Sequence, residues 1–245
     1  MLILSALTLI SPMRADDIVL ESPPQRATLV ELYSSEGCSS CPPAEKWISQ
    51  LKSDPQLWKQ IVPVVFHVDY WDGLGWPDRF ARRAYTQRQN DYAARWGASN
   101  VYTPEFVVDA REWHAWFGGG ALPMAKAEAV GSLRAVVQRE GGGVRVSFGP
   151  VPSLDSLPYT INVAWLGVGI GSNVGGGENS GRTLVHDFVV LDFQSKTTGT
   201  TDGKGISAEF SGPNLRAGND RPGAVAVWVS AADGSIVQAT GGWVK

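Results

Sequence analysis

The chain has two cysteines, and both lie in one motif, Gly37-Cys38-Ser39-Ser40-Cys41-Pro42-Pro43. Only a thiolate attacks a disulfide or binds a metal well, so a reactive cysteine needs surroundings that favour the anion. A helix N-terminus is such a place, because its free N–H groups and partial positive charge attract negative charge. A spacing of two residues lets the second sulfur reach back and release a mixed disulfide. Cys38 is accordingly read as the attacking thiol and Cys41 as the resolving one. An inert disulfide and a metal pair are the competing readings. A ring this small removes little chain entropy, roughly 2 kcal/mol, which is a weak structural reason to place both cysteines here.

Positioning these thiols needs a strand before them and a helix after them. Residues 27–34 are apolar and strand-like. Pro42 and Pro43 suit a first helical turn, where a missing N–H costs nothing. The helix is expected to start at Pro42, capped by Ser40 or Cys41, with Trp47, Ile48 and Leu51 on one face of residues 44–52. Residues 61–69 form a second apolar run. Pro77 opens a second helix and Gly97 closes it, with Ala81, Tyr85, Tyr92 and Trp96 at helical spacing. Residues 104–109 and 112–117 read as two short strands. Pro123 opens a third helix that Gly141 ends, with Val130, Leu133 and Val137 as its stripe. The order β-α-β-α-β-β-α predicts an α/β sheet with helices on its faces and reactive groups beyond the strands' carboxyl ends, where Cys38 lies.

The pattern changes after Gly141. Short β-like runs at 144–148, 159–168, 183–193, 206–210, 224–231 and 235–239 alternate with glycine- and serine-rich turns at 169–177 and 195–205. They predict a β-rich C-terminal region, either an antiparallel sheet or a sandwich. The expected organisation is a signal segment at 1–16, an α/β domain at 26–141 and a β-rich domain at 142–245.

A length of 245 residues with 43% hydrophobic and 18% charged residues indicates a folded globular chain. A net charge of −3 argues against nucleic acid as a partner. Arg79, Arg82, Arg83 and Arg88 cluster and read as the solvated face of a helix. Residues 1–10 are apolar, and Met13-Arg14-Ala15 resembles a small-residue cleavage site, so a periplasmic or secreted location is expected. No basic residue precedes the apolar run. No stretch approaches the ~18 apolar residues of a membrane span.

The strand running into Cys38-Ser39-Ser40-Cys41, the element order, and Tyr102-Thr103-Pro104 opening a strand together resemble the thioredoxin-like superfamily. The chain is more narrowly similar to a bacterial family of secreted thioredoxin-like proteins of unknown function. That match rests on residues 30–44, on Phe66-His67-Val68-Asp69-Tyr70-Trp71-Asp72, on Tyr102-Thr103-Pro104 and on Gly177-Glu178-Asn179-Ser180-Gly181-Arg182-Thr183-Leu184. The resemblance implies a thioredoxin-like three-layer domain and a cis peptide between Thr103 and Pro104 beside the cysteine loop. It also implies a buried acid in the first strand, Glu31, which exchanges protons with Cys41. The Ser-Ser dipeptide, the two prolines after the motif and the large β-rich region depart from ordinary thioredoxins.

Several residues have two readings. Glu31 is either that acid or a salt-bridged carboxylate. His67 and Asp69 lie two apart on a strand and so point to one face. His67 either bonds locally or joins Cys38 and Cys41 as ligands for copper or zinc. Thioredoxin-like copper carriers usually space their cysteines one residue wider, and this chain has no methionine-rich tract. Trp71 and Trp76 either wall a client groove with Thr103 and Pro104 or fill the core. The loop 175–181 reads as a hairpin in which Arg182 pairs with Glu178. His114 and His186 stand alone in the sequence.

The function expected from these readings is exported thiol–disulfide exchange with protein thiols or disulfides as clients and no cofactor. The alternatives are a copper or zinc carrier using Cys38, Cys41 and His67, and a non-catalytic secreted binding module.

Overall fold

The computed structural model describes residues 17–151, 158–198, 205–215 and 220–245. The expected signal segment at 1–16 lies outside the described residues, as does part of the expected turn at 195–205.

Two strands carry the site. β1 (Ile18–Glu21) belongs to a second sheet described below, whereas β2 (Thr28–Ser34) leads into the cysteine loop. α1 (Cys41–Ser49) follows, with Ser40 as its N-cap. β3 (Ile61–His67) runs parallel to β2, pairing Ser34 with His67. All seven residues of each strand are buried, as expected of parallel strands covered on both faces. α1 and α2 (Arg83–Trp96) provide that cover on opposite faces. Ser34 bonds to Glu45 of α1, while Glu31, of opposite parity along β2, bonds to Tyr92 of α2.

The sheet continues on both sides. β4 (Glu105–Val108) and β5 (Arg111–Glu112) extend it beyond β2. On the other side, β3 pairs in parallel with a strand of the C-terminal half. The remaining strands are β6 (Gly131–Val137), β7 (Val144–Pro150), β8 (Tyr159–Asn173), β9 (Thr183–Thr198), β10 (Ile206–Phe210), β11 (Ala224–Ser230) and β12 (Ile236–Trp243). The large sheet has eight strands in the order β12-β11-β8-β9-β3-β2-β4-β5, and a second sheet has four in the order β1-β6-β7-β10. Ile161, Val163 and Trp165 of β8 meet Leu133, Val146 and Phe148 of the second sheet in one core. The alternate residues Ala164 and Leu166 join the core beneath β2, β3 and the helices.

The expected thioredoxin-like three-layer α/β domain is therefore not what this chain forms. The protein is mostly β-sheet, with two α-helices and two large sheets among the described residues. The element order fails at residues 123–141, where β6 replaces the expected third helix. Val130, Leu133 and Val137 do fit a helical spacing, but Leu133, Ala135 and Val137 point inward while Ser132 and Arg134 are only half-buried, a period of two. The adjacent valines also favour a strand. Gly131 fixes the start of this strand, because a Cβ there would lie 2.0 Å from the carbonyl oxygen of Gly149.

Two boundaries also move. The second helix begins at Arg83 and not at Pro77, because Asp78 turns inward and binds the backbone N–H groups of Glu36 and Phe80. The strand expected at 112–117 shrinks to Arg111–Glu112 and gives way to a 3-10 turn at His114–Gly118. No helix among the described residues is long and apolar enough to cross a membrane.

Candidate functional site

A disulfide joins Cys38 and Cys41, with Cα atoms 5.5 Å apart. The loop that carries it is a turn: the Cys38 N–H donates to Ser35 O and the Cys41 N–H to Cys38 O, each at 3.2 Å. Cys41 is the first residue of α1, and Pro42 and Pro43 occupy the turn where no N–H is needed. Cys38 Sγ lies 3.3 Å from Ser40 Oγ. Both cysteines are fully buried, whereas Ser39 and Ser40 between them are exposed.

The loop between β8 and β9 binds the backbone of the cysteine turn and Ser39. The Asn179 side-chain amide donates to the carbonyl oxygens of Glu36 and Cys38, both at 2.9 Å. Glu178 Oε2 accepts from the Ser39 N–H at 3.0 Å and from Ser39 Oγ at 2.6 Å. These bonds hold the Glu178 carboxyl below its ordinary pKa. Arg182 binds Asn179 Oδ1 at 2.6 Å, so its partner is Asn179 and not the expected Glu178. Gly176 lets this loop touch its neighbour, because a Cβ there would sit 2.3 Å from Gly75 O.

The loop after β3 closes the other side. A Cβ at Gly37 would stand 3.1 Å from Trp71 Cβ. The Trp71 indole donates to Thr103 Oγ1 at 2.8 Å, and the Thr103–Pro104 peptide is cis. The Trp76 indole donates to Glu36 Oε2 at 2.6 Å. Trp71, Trp76 and Thr103 are half-buried and Pro104 is buried. Trp71, Trp76, Thr103 and the cysteine loop thus form one neighbourhood.

Beneath the disulfide lies a buried polar cluster that sequence reading did not find. His186, on β9, bonds Glu45 Oε2 through Nδ1 at 2.6 Å and Glu36 Oε1 through Nε2 at 3.1 Å. His67, at the end of β3, donates from Nδ1 to Asp78 Oδ2 at 2.6 Å. Glu45 Oε1 accepts from Ser34 Oγ at 2.5 Å and lies 3.6 Å from His67 Nε2. The two imidazole centroids are 5.0 Å apart.

Burial works against every charge in this cluster, and the partners outweigh it. Burial would lower the His186 pKa, but Glu45 and Glu36 push it up to about 10. His67 is raised against the same penalty by Asp78 and Glu45. Burial would raise the Asp78 carboxyl, but His67 and two backbone N–H groups hold it at about 2. Glu36 and Glu45 are lowered in the same way, chiefly by His186.

Sequence reading paired His67 with Asp69. The strand ends at His67, and Asp69 turns away to accept from Thr86 Oγ1 at 2.5 Å. His186 is the second imidazole of the cluster and does not stand alone, and only the long separation in sequence conceals it. His114 stays at the surface, 2.9 Å from Glu112. Glu31 sits on the α2 face of the sheet, bound by Arg88 at 2.7 and 3.1 Å and by Tyr92 at 2.5 Å. The structure does not bring it to α1 and Cys41. Arg88 is correspondingly no solvated residue. It lies within 5.5 Å of the ring centroids of Phe66, Tyr92, Phe193 and Trp228.

These features define a mostly β protein that buries a helix-borne disulfide over a carboxylate–histidine cluster. The chain belongs to the family described as "Protein of unknown function (DUF1223)", which matches residues 29–230. No curated protein matches it. Among solved structures it is similar to protein AGR_C_4864 from Agrobacterium tumefaciens, with 24% identity, a TM-score of 0.57, and 89% of this chain and 95% of that chain covered. It is also similar to HBP35 of Porphyromonas gingivalis, with 12% identity, a TM-score of 0.59, and coverage of 90% and 76%. At these identities the likeness is one of fold.

Proposed function

We propose that the Cys38–Cys41 pair cycles between disulfide and dithiol and exchanges with protein thiols or disulfides outside the cytoplasm. The observation that carries this reading is the placement of the chain's only cysteines: they bridge one turn at the start of α1 and link no distant elements. A bridge across one turn constrains little of the unfolded chain. In the reducing direction Cys38 thiolate attacks a client disulfide and forms a mixed disulfide, expelling one client thiolate. Cys41 thiolate then attacks the Cys38 sulfur, releases the second client thiolate and leaves the protein oxidised.

Access is the limiting feature of this chemistry, because both cysteines are buried and Asn179 and Glu178 tie down the turn that carries them. The reading therefore includes an opening of the β8–β9 loop, with Trp71, Trp76, Thr103 and Pro104 forming the wall on which a client segment rests. Cys41→Ser tests it directly. With the resolving thiol gone, Cys38 should accumulate mixed disulfides with a model disulfide peptide, and Cys38→Ser should accumulate none. Equal trapping by the two variants would overturn the assigned order, and no trapping by either would overturn the reading.

A further inference from the structure

The carboxylate–histidine cluster has a geometry that its hydrogen bonds alone do not explain. His67 Nε2 is fully buried and has no hydrogen-bond partner. It faces Glu45 Oε1 at 3.6 Å, beyond hydrogen-bond reach. Glu45, His67 and His186 each offer one ligand atom, and these atoms lie within 4.8 Å of one another.

We propose that Glu45, His67 and His186 bind a divalent transition-metal cation of the zinc class beneath the disulfide loop. The ligand set is two imidazoles and one carboxylate, which suits zinc and its first-row neighbours. Zinc bonds of about 2.0–2.1 Å in a tetrahedron place ligand atoms roughly 3.3 Å apart. The His67 Nε2 to Glu45 Oε1 distance of 3.6 Å is already close to that separation. The His186 Nδ1 to Glu45 Oε2 contact, now 2.6 Å, opens by less than 1 Å when a cation enters between them.

The second layer is the stronger argument. A metal-binding histidine usually donates its rear N–H to a carboxylate, which fixes the tautomer and aims the other nitrogen at the metal. Both histidines here have that partner. His67 is backed by Asp78 at 2.6 Å, and His186 by Glu36 at 3.1 Å. Each backing carboxylate is itself anchored, Asp78 by the N–H groups of Glu36 and Phe80, and Glu36 by the Trp76 indole. The cation also fits the local charge. Glu36, Glu45 and Asp78 are buried carboxylates that need compensation, and one divalent cation supplies the same two positive charges as two protonated imidazoles. This site includes neither cysteine, and it stands or falls independently of thiol exchange.

The test uses the full chain freed of metal by a chelator and then incubated with zinc chloride or cobalt chloride. The expected result is one zinc per chain by elemental analysis, with a raised Tm. Binding should persist in Cys38→Ser/Cys41→Ser and be lost in Glu45→Gln and His186→Gln. Should those two variants fail to fold, the cobalt spectrum of the wild-type chain decides. Visible ligand-field bands without thiolate-to-cobalt charge transfer support the site. A charge-transfer band, or absence of stoichiometric binding by the folded wild type, overturns it.

Discussion

At Glu31 a carboxylate with no exposed surface sits in the strand that leads to the cysteines. Arg88 binds it through two nitrogens, and Tyr33 and Tyr92 complete its acceptor sites. Burial would lower the Arg88 pKa, yet Glu31 and the neighbouring phenols hold it well above its ordinary value. Removing one partner of a buried pair strands the other, at ~3–5 kcal/mol, and the lower end applies because Arg88 keeps 20% of its side-chain surface. Glu31→Gln should therefore lower unfolding free energy by about 3 kcal/mol in urea melts. It should leave the rate of thiol exchange unchanged, since Glu31 lies across the sheet from α1. A slowed exchange in the folded variant would restore the proton-transfer role that resemblance suggested. Glu105, next to the cis proline, gives a second residue-scale prediction. Burial pushes its carboxyl from 4.5 up to about 7, although Gln89 donates to it. Folded protein then holds this proton where unfolded protein has lost it. The Glu105 contribution is thus fully present below pH 4.5 and declines as pH rises to about 7. Glu105→Gln should remove that decline from a Tm-against-pH profile, and an unaltered slope would contradict it.

The element bound to the disulfide turn is the β8–β9 loop, which sequence reading took for a hairpin closed by Arg182 and Glu178. Its residues were conspicuous as a polar run, Glu178, Asn179 and Arg182 among glycines. Their target was hidden, because Asn179 lies 141 residues from Cys38. The two buried bonds of Asn179 contribute ~1 kcal/mol net each, so losing them alone shifts an opening equilibrium by about tenfold or more, and loss of the two exposed bonds of Glu178 acts in the same direction. Glu178→Ala/Asn179→Ala should accelerate reduction of the disulfide by dithiothreitol by at least about tenfold, without a matching loss of Tm. An unchanged rate would show that the loop does not limit access. The same element scale explains the failed third helix. A spacing of three and four residues placed Val130, Leu133 and Val137 on one helical face, but Leu133, Ala135 and Val137 equally satisfy alternation. Only pairing with β1 and β7 decides between the two periods.

Across the whole molecule, local chemistry was legible and long-range pairing was not. The strand at 27–34, the helix after Cys41, the strand expected at 61–69 and all six C-terminal β runs were readable from apolar runs, although β3 ends at His67 and β8 and β9 continue to Asn173 and Thr198, into the turns expected at 169–177 and 195–205. Nothing local announced that β9 would pair with β3, or that β8, β9, β11 and β12 would extend the sheet that carries the cysteines. That pairing brings His186 to His67 and Asn179 to Cys38, and it turns a cysteine motif into a covered site with a polar floor. The central claim is that this covered disulfide is a working redox pair. It is tested most directly by its reduction potential, measured by equilibrating metal-free protein with glutathione buffers. The account predicts a value between roughly −120 and −270 mV, the range of catalytic dithiols. A value below about −300 mV would mark an inert structural disulfide and contradict it.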